Sequence, residues 1–184
     1  MSEFVKILKK EIDLFDLKFK SVVSNKATLL HKVVTYLKMQ SGKKIRPLCV
    51  ILSAGLSGDL QDKTYRGAVL VELLHTATLI HDDIVDDAHI RRRQLSINAI
   101  WNNKISVLTG DYFLAKGLKL SVENKDYELL YLISDVVQKI VEGELLQIEK
   151  TKTLNLTEED YFKIIKLKTA VLFESAFKIG AISV

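Results

Sequence analysis

Apolar side chains recur at steps of three and four residues along most of the chain, which is the period of an amphipathic helix. In the first such stretch Phe4, Leu8, Ile12 and Phe15 share one face, and lysines and aspartates occupy the other. The same pattern predicts helices over residues 4–22, 29–39, from a turn at 42–47 through 56, and over 63–87, 96–102, 104–122, 127–149 and 158–184. Because no stretch shows a convincing strand pattern, the chain is predicted to be all-α.

The predicted helix over residues 63–87 differs from the others, because its middle part is apolar on nearly every side. Between residues 68 and 80 only Glu72, His75 and two threonines interrupt the apolar run. A helix that is hydrophobic all round is typical of the interior of a bundle. We therefore expect this helix to lie at the centre of the fold.

Composition narrows the class of protein further. With 184 residues, one proline, eight glycines and 48% hydrophobic residues, the chain fits one mostly helical domain with a sizeable core. The single cysteine, Cys49, permits no internal disulfide and indicates a reducing compartment, where it is expected to be a small core residue. No apolar run reaches membrane-spanning length and the N-terminus lacks a secretory signal, so a cytoplasmic protein is predicted.

The densest charge lies in residues 81–93, which read His-Asp-Asp-Ile-Val-Asp-Asp-Ala-His-Ile-Arg-Arg-Arg. On a helix Asp82 and Asp86 lie one turn apart, as do Asp83 and Asp87, so two pairs of like charges crowd one patch. Mg²⁺ takes one or two carboxylates and completes its octahedron with water and substrate phosphates. The sequence therefore predicts a magnesium site that has arginines on its far side. A solvated acidic helix end is the alternative.

Three basic sets could hold the phosphates of such a substrate. The first lies in a glycine-led turn at a helix start, where exposed N–H groups favour an anion. The second follows the aspartates, and the third lies on an apolar face of the last helix. The sets are Lys43, Lys44 and Arg46; Arg91, Arg92 and Arg93; and Lys168 with Thr169. Structural roles stay open for each: a solvated loop, neutralisation of the aspartates, and a lysine that reaches solvent.

The remaining charges argue against two other classes of ligand. The net charge of +4 favours anions, but lysines and acids alternate along most of the chain without a recognition motif, so nucleic acid is not expected as a partner. His75, His81 and His89 lack the i,i+4 spacing of a helical zinc pair. His75 is either a site residue or a hydrogen-bonded histidine of the core.

Several of these segments form an ordered series of motifs. They are Gly42-Lys-Lys-Ile-Arg-Pro47, Glu72-Leu-Leu-His-Thr-Ala-Thr-Leu-Ile-His-Asp-Asp-Ile-Val-Asp86, Arg91-Arg92, Val107-Leu-Thr-Gly-Asp-Tyr112, Gly143-Glu-Leu-Leu-Gln147 and Lys168-Thr-Ala170. In order and spacing the series resembles the trans-isoprenyl diphosphate synthases, the polyprenyl synthetase family, from about residue 40 to the end. The resemblance implies an isoprenoid-synthase-type helical bundle around a deep central cavity. It also implies a Mg²⁺-dependent condensation of isopentenyl diphosphate with an allylic diphosphate.

The resemblance also assigns roles by motif match. Metal ligands would be Asp82 and Asp86, with Asp83 in support. The allylic diphosphate would be held by Arg91, Lys168 and Thr169, and isopentenyl diphosphate by Lys43, Arg46, His75 and Arg92. Gln147 would lie near the metal-diphosphate centre. Asp82, Asp86 and Lys168 are the implied catalytic residues, and the family's usual state implies a homodimer.

Product length follows from the same motif. Ala77 lies five residues before Asp82, about 7.5 Å deeper along the helix, and short-chain members of the family tend to carry an aromatic floor there. Ala77, with Leu74 beyond it, implies an open shaft and a long-chain product such as the precursor of a quinone side chain. Alternatively, Ala77 is only a good helix former in a crowded place.

Departures from the family pattern concern Arg93, which stands where a glycine is common, and a second aspartate-rich motif, which the chain does not reach before Val184. Residues 1–184 are therefore expected to be a single helical domain, the N-terminal two-thirds of a synthase domain, with little activity alone. A non-catalytic, diphosphate-binding partner subunit is one alternative. A plain helical interaction module is another.

Overall fold

The computed structural model describes the backbone of residues 3–40 and 42–184 and their side chains from Leu8 onward. The α-helices in these residues are α1 (Glu3–Val23), α2 (Thr28–Met39), α3 (Ile45–Ser57), α4 (Asp62–Val85), α5 (Ile97–Trp101), α6 (Asn103–Glu123), α7 (Tyr127–Thr153), α8 (Glu158–Ile165) and α9 (Val171–Ile182). A π-helical segment, Lys166–Ala170, joins α8 to α9, and a hairpin of β1 (Ile90–Arg91) and β2 (Gln94–Leu95) follows α4. The prediction of an all-α architecture is confirmed.

Helix α4 lies at the centre of the bundle, as its all-round apolar pattern predicts. Its most extensive contacts are with α6, and it also packs against α3, α9, α1 and α7. Ala68, Leu73 and Ala77 are fully buried although they point in different directions around the helix. Gly67 allows the close approach of α9, since a Cβ atom there would lie 2.5 Å from Ile179 Cγ2. Cys49 packs against this core while half-buried.

The hairpin corrects the expectation that the chain contains no strand. Ile90 pairs with Leu95 and Arg91 with Gln94, and the loop between them consists of Arg92 and Arg93. Both loop residues have positive φ angles, 51° and 66°, as a type I′ turn requires. Glycine or asparagine usually marks such a turn, so its arginine sequence gives no turn signal. The strands are also too short to show an alternating pattern.

The last predicted helix, over residues 158–184, is divided in the structure. At the π-helical segment the backbone N–H of Val171 donates to the carbonyl oxygen of Lys166, five residues earlier. This widened turn changes which side chains share a face without ending the helical path, so a period of three to four residues does not reveal it. Lys168 and Thr169 lie within the widened turn. Such π-turns are frequent at functional sites.

Candidate functional site

Near the C-terminal end of α4 lies a group that we call the acidic site, formed by the carboxylates of Asp82, Asp86 and Glu144 and by the ammonium group of Lys168. Glu144 belongs to α7 and Lys168 to the π-helical segment. The N–H of Asp86 donates to the carbonyl oxygen of Asp82 at 2.8 Å, which fixes their one-turn spacing. Within the described residues neither aspartate side chain forms an ion pair. Burial, with repulsion from Glu144 and Asp86, raises the pKa of Asp82 to about 6. A carboxylate in this condition favours the approach of a cation.

Asp83 and Asp87 do not join this group. Asp83 is turned about 100° around the helix from Asp82, is 5% exposed, and accepts a hydrogen bond from Arg91 Nε at 2.6 Å. Asp87 lies beyond the end of α4 with a φ of 49°, so the predicted helical pair of Asp83 with Asp87 is not formed. In the structure Asp83 therefore binds Arg91. The expected support of a metal by Asp83 stays a prediction.

Lys168 reaches the acidic site from the π-helical segment. Its Nζ lies 2.5 Å from Glu144 Oε2 and donates to Gln147 Oε1 at 2.9 Å. Of the two roles left open for this lysine, pairing inside a site is therefore the one observed. Gly143 makes the approach possible, because a Cβ atom there would lie 2.7 Å from Leu167 Cβ and 3.1 Å from Lys168 Cγ. Thr169 follows on the same segment with an exposed side chain.

A second group, the basic pocket, surrounds a cavity of about 400 Å³ between the start of α3, α4, the hairpin and α9. Its walls include Lys43, Arg46, Glu72, His75, Arg92 and Phe173. The four residues predicted to hold isopentenyl diphosphate are thus brought together in one cavity. The side chain of Lys43 is exposed at its edge.

Arg46 is fixed from two sides within the basic pocket. Its Nη1 lies 2.9 Å from His75 Nε2, and its guanidinium carbon lies 4.6 Å from the centre of the Phe173 ring. Arg46 Nε is buried and has no hydrogen-bond partner among the described residues. A buried donor without a partner is costly in a folded protein, so the geometry suits an anion that would accept from it.

His75 and Glu72 of the basic pocket are both shifted towards their neutral forms. Burial, together with the charges of Arg46 and Arg92, lowers the pKa of His75 to about 3. His75 is therefore a neutral acceptor that keeps Arg46 in place. Burial raises the pKa of Glu72 to about 7, although Arg46 and Arg92 oppose the rise. Near neutral pH the cavity consequently keeps a surplus of positive charge.

The position of the Arg92 guanidinium group depends on the backbone around it. Its Nη1 donates to the carbonyl oxygen of Gln40 at 2.8 Å. A Cβ atom on Gly42 would lie 2.5 to 2.7 Å from the guanidinium group of Arg92. The guanidinium thus lies flat against a residue that has no side chain. Gly42 therefore helps to position Arg92. The sequence alone indicated only that Gly42 begins a turn.

The two groups occupy the same side of α4. His75 and Asp82 are seven residues apart, so they lie almost two turns and about 10 Å from each other along the helix. The charges that act on Asp82 include those of Glu144 and Lys168, and His75 Nε2 lies 2.9 Å from Arg46 Nη1. One face of α4 therefore borders carboxylates without ion pairs at its end and, further back, the cations of the basic pocket, which belong to other elements.

The residues predicted to govern chain length lie on another side of α4. Leu74 lines a second cavity, of about 220 Å³, which we call the deep pocket, with Leu70, Leu73, Phe113 and Gly117. Ala77 is fully buried and isn't part of the wall of this cavity. The role of both residues in product length stays a prediction.

The side chains of the acidic site fit a divalent metal that completes its shell with other ligands. Among the described side chains, those of residues 8–40 and 42–184, no three of histidine, cysteine, aspartate or glutamate converge on one point. Asp82 and Asp86 alone supply hard oxygen donors one turn apart, which is the number that Mg²⁺ uses when water and phosphate complete its shell. The residues therefore fit a magnesium ion that arrives with its substrate.

Sequence reasoning missed two residues of the site. Glu144 faces Asp82 and Lys168, and Glu72 faces Arg46 and His75. Each lies inside a motif that the sequence did single out, but a single glutamate on a helix gives no sign of its partners. Separately, no helix in the described part of the chain is long and apolar enough to cross a membrane.

Comparison with known proteins agrees with this geometry. A sequence model of the polyprenyl synthetase family matches residues 27–184. The chain is 38% identical over 161 residues to the all-trans-nonaprenyl-diphosphate synthase (geranyl-diphosphate specific) of Rhodobacter capsulatus, which covers 87% of this chain and 50% of that protein. It is 36% identical over 154 residues to the octaprenyl diphosphate synthase of Escherichia coli (strain K12), which covers 84% and 48%. The chain thus spans about half the length of the curated relatives it matches.

Solved structures give the same result for the fold. The polyprenyl synthase from Caulobacter crescentus CB15, complexed with calcium and isoprenyl diphosphate, superposes with a TM-score of 0.91 at 33% identity. The match covers 97% of this chain and 55% of that one. The isoprenoid-synthase-type helical bundle that the resemblance implied is thereby confirmed. By family match, sequence identity and fold, the chain belongs to the polyprenyl synthetase family.

Proposed function

We propose that this chain forms the metal- and diphosphate-binding part of a Mg²⁺-dependent prenyltransferase. The reaction would condense isopentenyl diphosphate with an allylic diphosphate to give a long-chain polyprenyl diphosphate. One observation carries the proposal: the acidic site and the basic pocket lie on the same face of α4, about 10 Å apart along the helix. Two diphosphates bound at these places would have their reacting carbons between them.

Each group has a distinct task in this proposal. Mg²⁺ held by Asp82 and Asp86 would stabilise the negative charge that develops on the departing diphosphate. Lys168, Arg91 and Thr169 would hold that diphosphate on the protein side. Since Lys168 is paired with Glu144, an incoming diphosphate has to compete with this carboxylate. Gln147, which accepts a hydrogen bond from Lys168 Nζ, would keep the lysine in position during the exchange.

The basic pocket would hold the second substrate. Arg46, Arg92 and Lys43 provide the charge, and the planar guanidinium groups suit the paired oxygens of a diphosphate. Neutral His75 would not repel the two arginines, and it accepts a hydrogen bond from Arg46. The similar synthase from Caulobacter crescentus was solved with calcium and isoprenyl diphosphate, which supports a site for a divalent cation and a diphosphate in this fold.

A long product is supported by the deep pocket. Leu74 lines it, and Ala77 lies between it and the acidic site along α4. Both curated relatives described above are named for long-chain products. We expect Ala77→Phe to shorten the product, because a phenyl ring would close the path that alanine is proposed to leave open. An unchanged product length would remove the proposed role of Ala77.

The partners follow from the same proposal. The exposed apolar side chains of Val107, Leu108, Leu118 and Val122 on α6 support burial of this helix in a homodimer. We place the protein in the cytoplasm, with at most peripheral membrane association and no nucleic-acid partner. Light scattering of the purified protein checks the dimer. A monomer at micromolar concentration would contradict it.

The test of the function uses the complete reading frame that encodes this chain. It is incubated with Mg²⁺, labelled isopentenyl diphosphate and a farnesyl primer, and the extracted lipid is sized. Long prenyl chains that depend on Mg²⁺ are expected. Absence of extension at every metal concentration would contradict an enzyme and leave the non-catalytic partner subunit, which the named synthases do not favour.

Binding by the 184-residue chain itself provides the second test. Mg²⁺ together with pyrophosphate should raise the melting temperature, because a ligand that binds only the folded state stabilises it. Asp82→Ala should remove the effect of Mg²⁺, and Asp87→Ala, just beyond the end of the same helix, is the matched control. No stabilisation by the pair of ligands would favour the plain helical interaction module instead.

A further inference from the structure

The hairpin that carries Arg92 is a weak structure by itself. An isolated two-stranded hairpin is at best marginally stable in water. Its loop residues, Arg92 and Arg93, have φ angles of 51° and 66°, a region that residues with a Cβ atom enter only at an energetic cost. The side chains of Ile90 and Leu95 are 68% and 53% exposed, so their burial adds little. The position of Arg92 therefore depends on what the rest of the fold binds to the hairpin.

The two strands of the hairpin are held by different helices. Strand β1 is bound to α4, since Arg91 Nε donates to Asp83 Oδ1 at 2.6 Å. Strand β2 is bound to the C-terminal end of α2 through the carbonyl oxygen of Leu95. Tyr36 Oη donates to this oxygen at 2.7 Å, and Gln40 Nε2 donates to it at 2.8 Å. The strand of Arg91 and the strand of Leu95 thus have separate anchors.

The carbonyl group of Leu95 can accept both bonds because of its place in the ladder. Opposite residues of an antiparallel ladder alternate between hydrogen-bonded and non-hydrogen-bonded pairs. The N–H of Ser96 donates to the carbonyl oxygen of His89 at 3.0 Å, so the next pair, Ile90 with Leu95, is of the second kind. The carbonyl of Leu95 therefore points away from β1, at the free edge of β2.

Gln40 binds both this strand and the arginine of the loop. Its side chain donates to the carbonyl oxygen of Leu95, while its own carbonyl oxygen accepts from Arg92 Nη1 at 2.8 Å. Tyr36 is in turn oriented by Trp101, because the two rings lie 5.5 Å apart in an edge-to-face arrangement. These contacts fix the end of α2, strand β2 and the Arg92 guanidinium relative to one another.

We propose that Tyr36 and Gln40 are positioning residues for the basic pocket, which hold Arg92 in place by binding the free edge of β2. Neither side chain belongs to the described wall of that pocket, so both act on its ligand through Arg92. The inference rests on the proposed function, in which Arg92 holds isopentenyl diphosphate. Because Arg91 is anchored separately to Asp83, removal of the two donors should disturb the binding of one diphosphate and not of the other.

The first test needs no ligand. Trypsin cleaves after arginine, and its rate at a hairpin follows the population of the open form when closing is fast. In the 184-residue chain the double variant Tyr36→Phe, Gln40→Leu should make cleavage after the two loop arginines about tenfold faster, since two hydrogen bonds are lost. Cleavage after Lys125, in the turn that follows α6, should keep its rate. An unchanged rate at the hairpin would overturn the proposal.

The matched control makes the same two changes on α7. Tyr131→Phe with Gln138→Leu alters exposed side chains that have no contact with the hairpin among the described hydrogen bonds. It should leave cleavage at the hairpin unchanged. Phenylalanine in place of Tyr36 keeps an aromatic ring against Trp101, so the test variant loses its donors without losing this packing. Equal rates in the two double variants would contradict the role of these donors.

The second test compares the two substrates in the complete reading frame. The variant Tyr36→Phe, Gln40→Leu should raise KM for isopentenyl diphosphate about tenfold, and it should change kcat and KM for the allylic primer by less than about twofold. A general loss of packing would alter kcat and both KM values together. An equal rise of the two KM values would therefore overturn the positioning role.

A double-mutant cycle with Arg92 shows whether the effect passes through this residue. In an Arg92→Ala background, the substitutions at Tyr36 and Gln40 should raise KM for isopentenyl diphosphate no further. A further rise of the same size would mean that they act by another route, and would overturn the proposal.

Arg92→Ala alone separates this inference from the proposed function. No change of KM for isopentenyl diphosphate in Arg92→Ala would contradict the proposed task of Arg92, and with it the inference that rests on that task. A rise of this KM in Arg92→Ala without a rise in the variant of Tyr36 and Gln40 would overturn only the positioning by α2.

Discussion

The acidic site and the basic pocket have opposite imbalances of charge. In the acidic site Asp82, Asp86 and Glu144 face Lys168, while Arg91, a second cation that acts on Asp82, is paired with Asp83. In the basic pocket Lys43, Arg46 and Arg92 face one acid, Glu72, whose pKa is raised to about 7. The acidic site thus has an excess of negative charge, and the basic pocket has an excess of positive charge. The fold therefore keeps apart two sets of like charges that would neutralise each other if they met.

This separation indicates that the charges of the two groups do not serve the stability of the fold. Ion pairs that serve stability bring opposite charges together, as Arg66 and Asp126 do at 2.6 Å elsewhere in this chain. Like charges brought together in partly buried places reduce stability instead. Such arrangements persist where a ligand completes them, and the predictions below test which ligand completes each one.

The largest effect is expected for Asp82→Asn in the complete reading frame. Removing one carboxylate of the proposed metal site should lower the rate of prenyl transfer about a thousandfold, because charge stabilisation by a metal contributes several kcal/mol. The same variant should not lower the melting temperature of the metal-free 184-residue chain, since it removes a repelled charge. Steady-state assays and thermal unfolding measure the two effects.

Asp83→Asn is the control for this prediction. It removes the partner of Arg91, so the melting temperature of the chain should fall. A fall of the melting temperature in Asp82→Asn and not in Asp83→Asn would reverse the roles assigned to these neighbours.

The second effect concerns the basic pocket. Arg46→Ala should weaken the binding of isopentenyl diphosphate about 10- to 100-fold, because it removes hydrogen bonds to a charged group. Lys44→Ala should change this affinity little, since the Nζ of Lys44 is already bound to Asp16 at 2.6 Å. Isothermal titration measures both. Equal losses in the two variants would show that only the total charge of this region matters.

The third effect compares the glycine that borders each group. Gly143→Ala brings a methyl group within 2.7 Å of Leu167 Cβ, a backbone-near atom that cannot move aside. This overpacking should reduce the free energy of unfolding by about 1–3 kcal/mol. Gly42→Ala meets the far end of the Arg92 side chain, which can turn away. It should leave stability unchanged and weaken isopentenyl diphosphate binding severalfold.

Chemical denaturation and titration distinguish the two glycine variants. If Gly42→Ala lowers stability as much as Gly143→Ala, the Arg92 side chain cannot turn away from the added methyl group, and the close packing at residue 42 is required by the fold itself. If neither variant alters binding or stability, the close approaches at these glycines have no role in shaping the site.

Much of this architecture could be predicted from the sequence, because the helices are long and strongly periodic. The central position of α4 follows from an apolar pattern on all its sides. The break between α8 and α9 could not be predicted, since a π-turn leaves the period nearly intact. The hairpin was missed because Arg92 and Arg93 occupy a turn that normally carries asparagine or glycine.

The candidate site could be predicted from the sequence about as well as the fold. Lys43, Arg46, His75 and Arg92 were assigned to one ligand, and the structure brings them into one cavity. What the sequence could not give is which neighbour each charge faces. Asp82 and Asp83 are adjacent in the chain, yet Asp83 is paired with Arg91 and Asp82 has no ion pair within the described residues. Only the direction of each side chain around α4 separates these two cases.

The smallest effect is expected from Glu72, and it appears in the pH dependence of stability. The folded-state pKa of Glu72 is about 7 and its ordinary value is 4.5, so between these values the folded state keeps a proton that the unfolded state has released. Its contribution to stability is therefore present below pH 4.5 and is lost as the pH rises through 7. His75, with a folded-state pKa of about 3, acts in the opposite sense and adds stability as the pH rises from 3 to 6.5.

Urea denaturation of the wild type and Glu72→Gln between pH 4.5 and 8 separates the two contributions. The variant should gain stability relative to the wild type as the pH rises across this range, because only the wild type loses the contribution of the protonated carboxyl. A constant difference at every pH would mean that Glu72 is ionised throughout, and that the basic pocket has less surplus positive charge than its contrast with the acidic site requires.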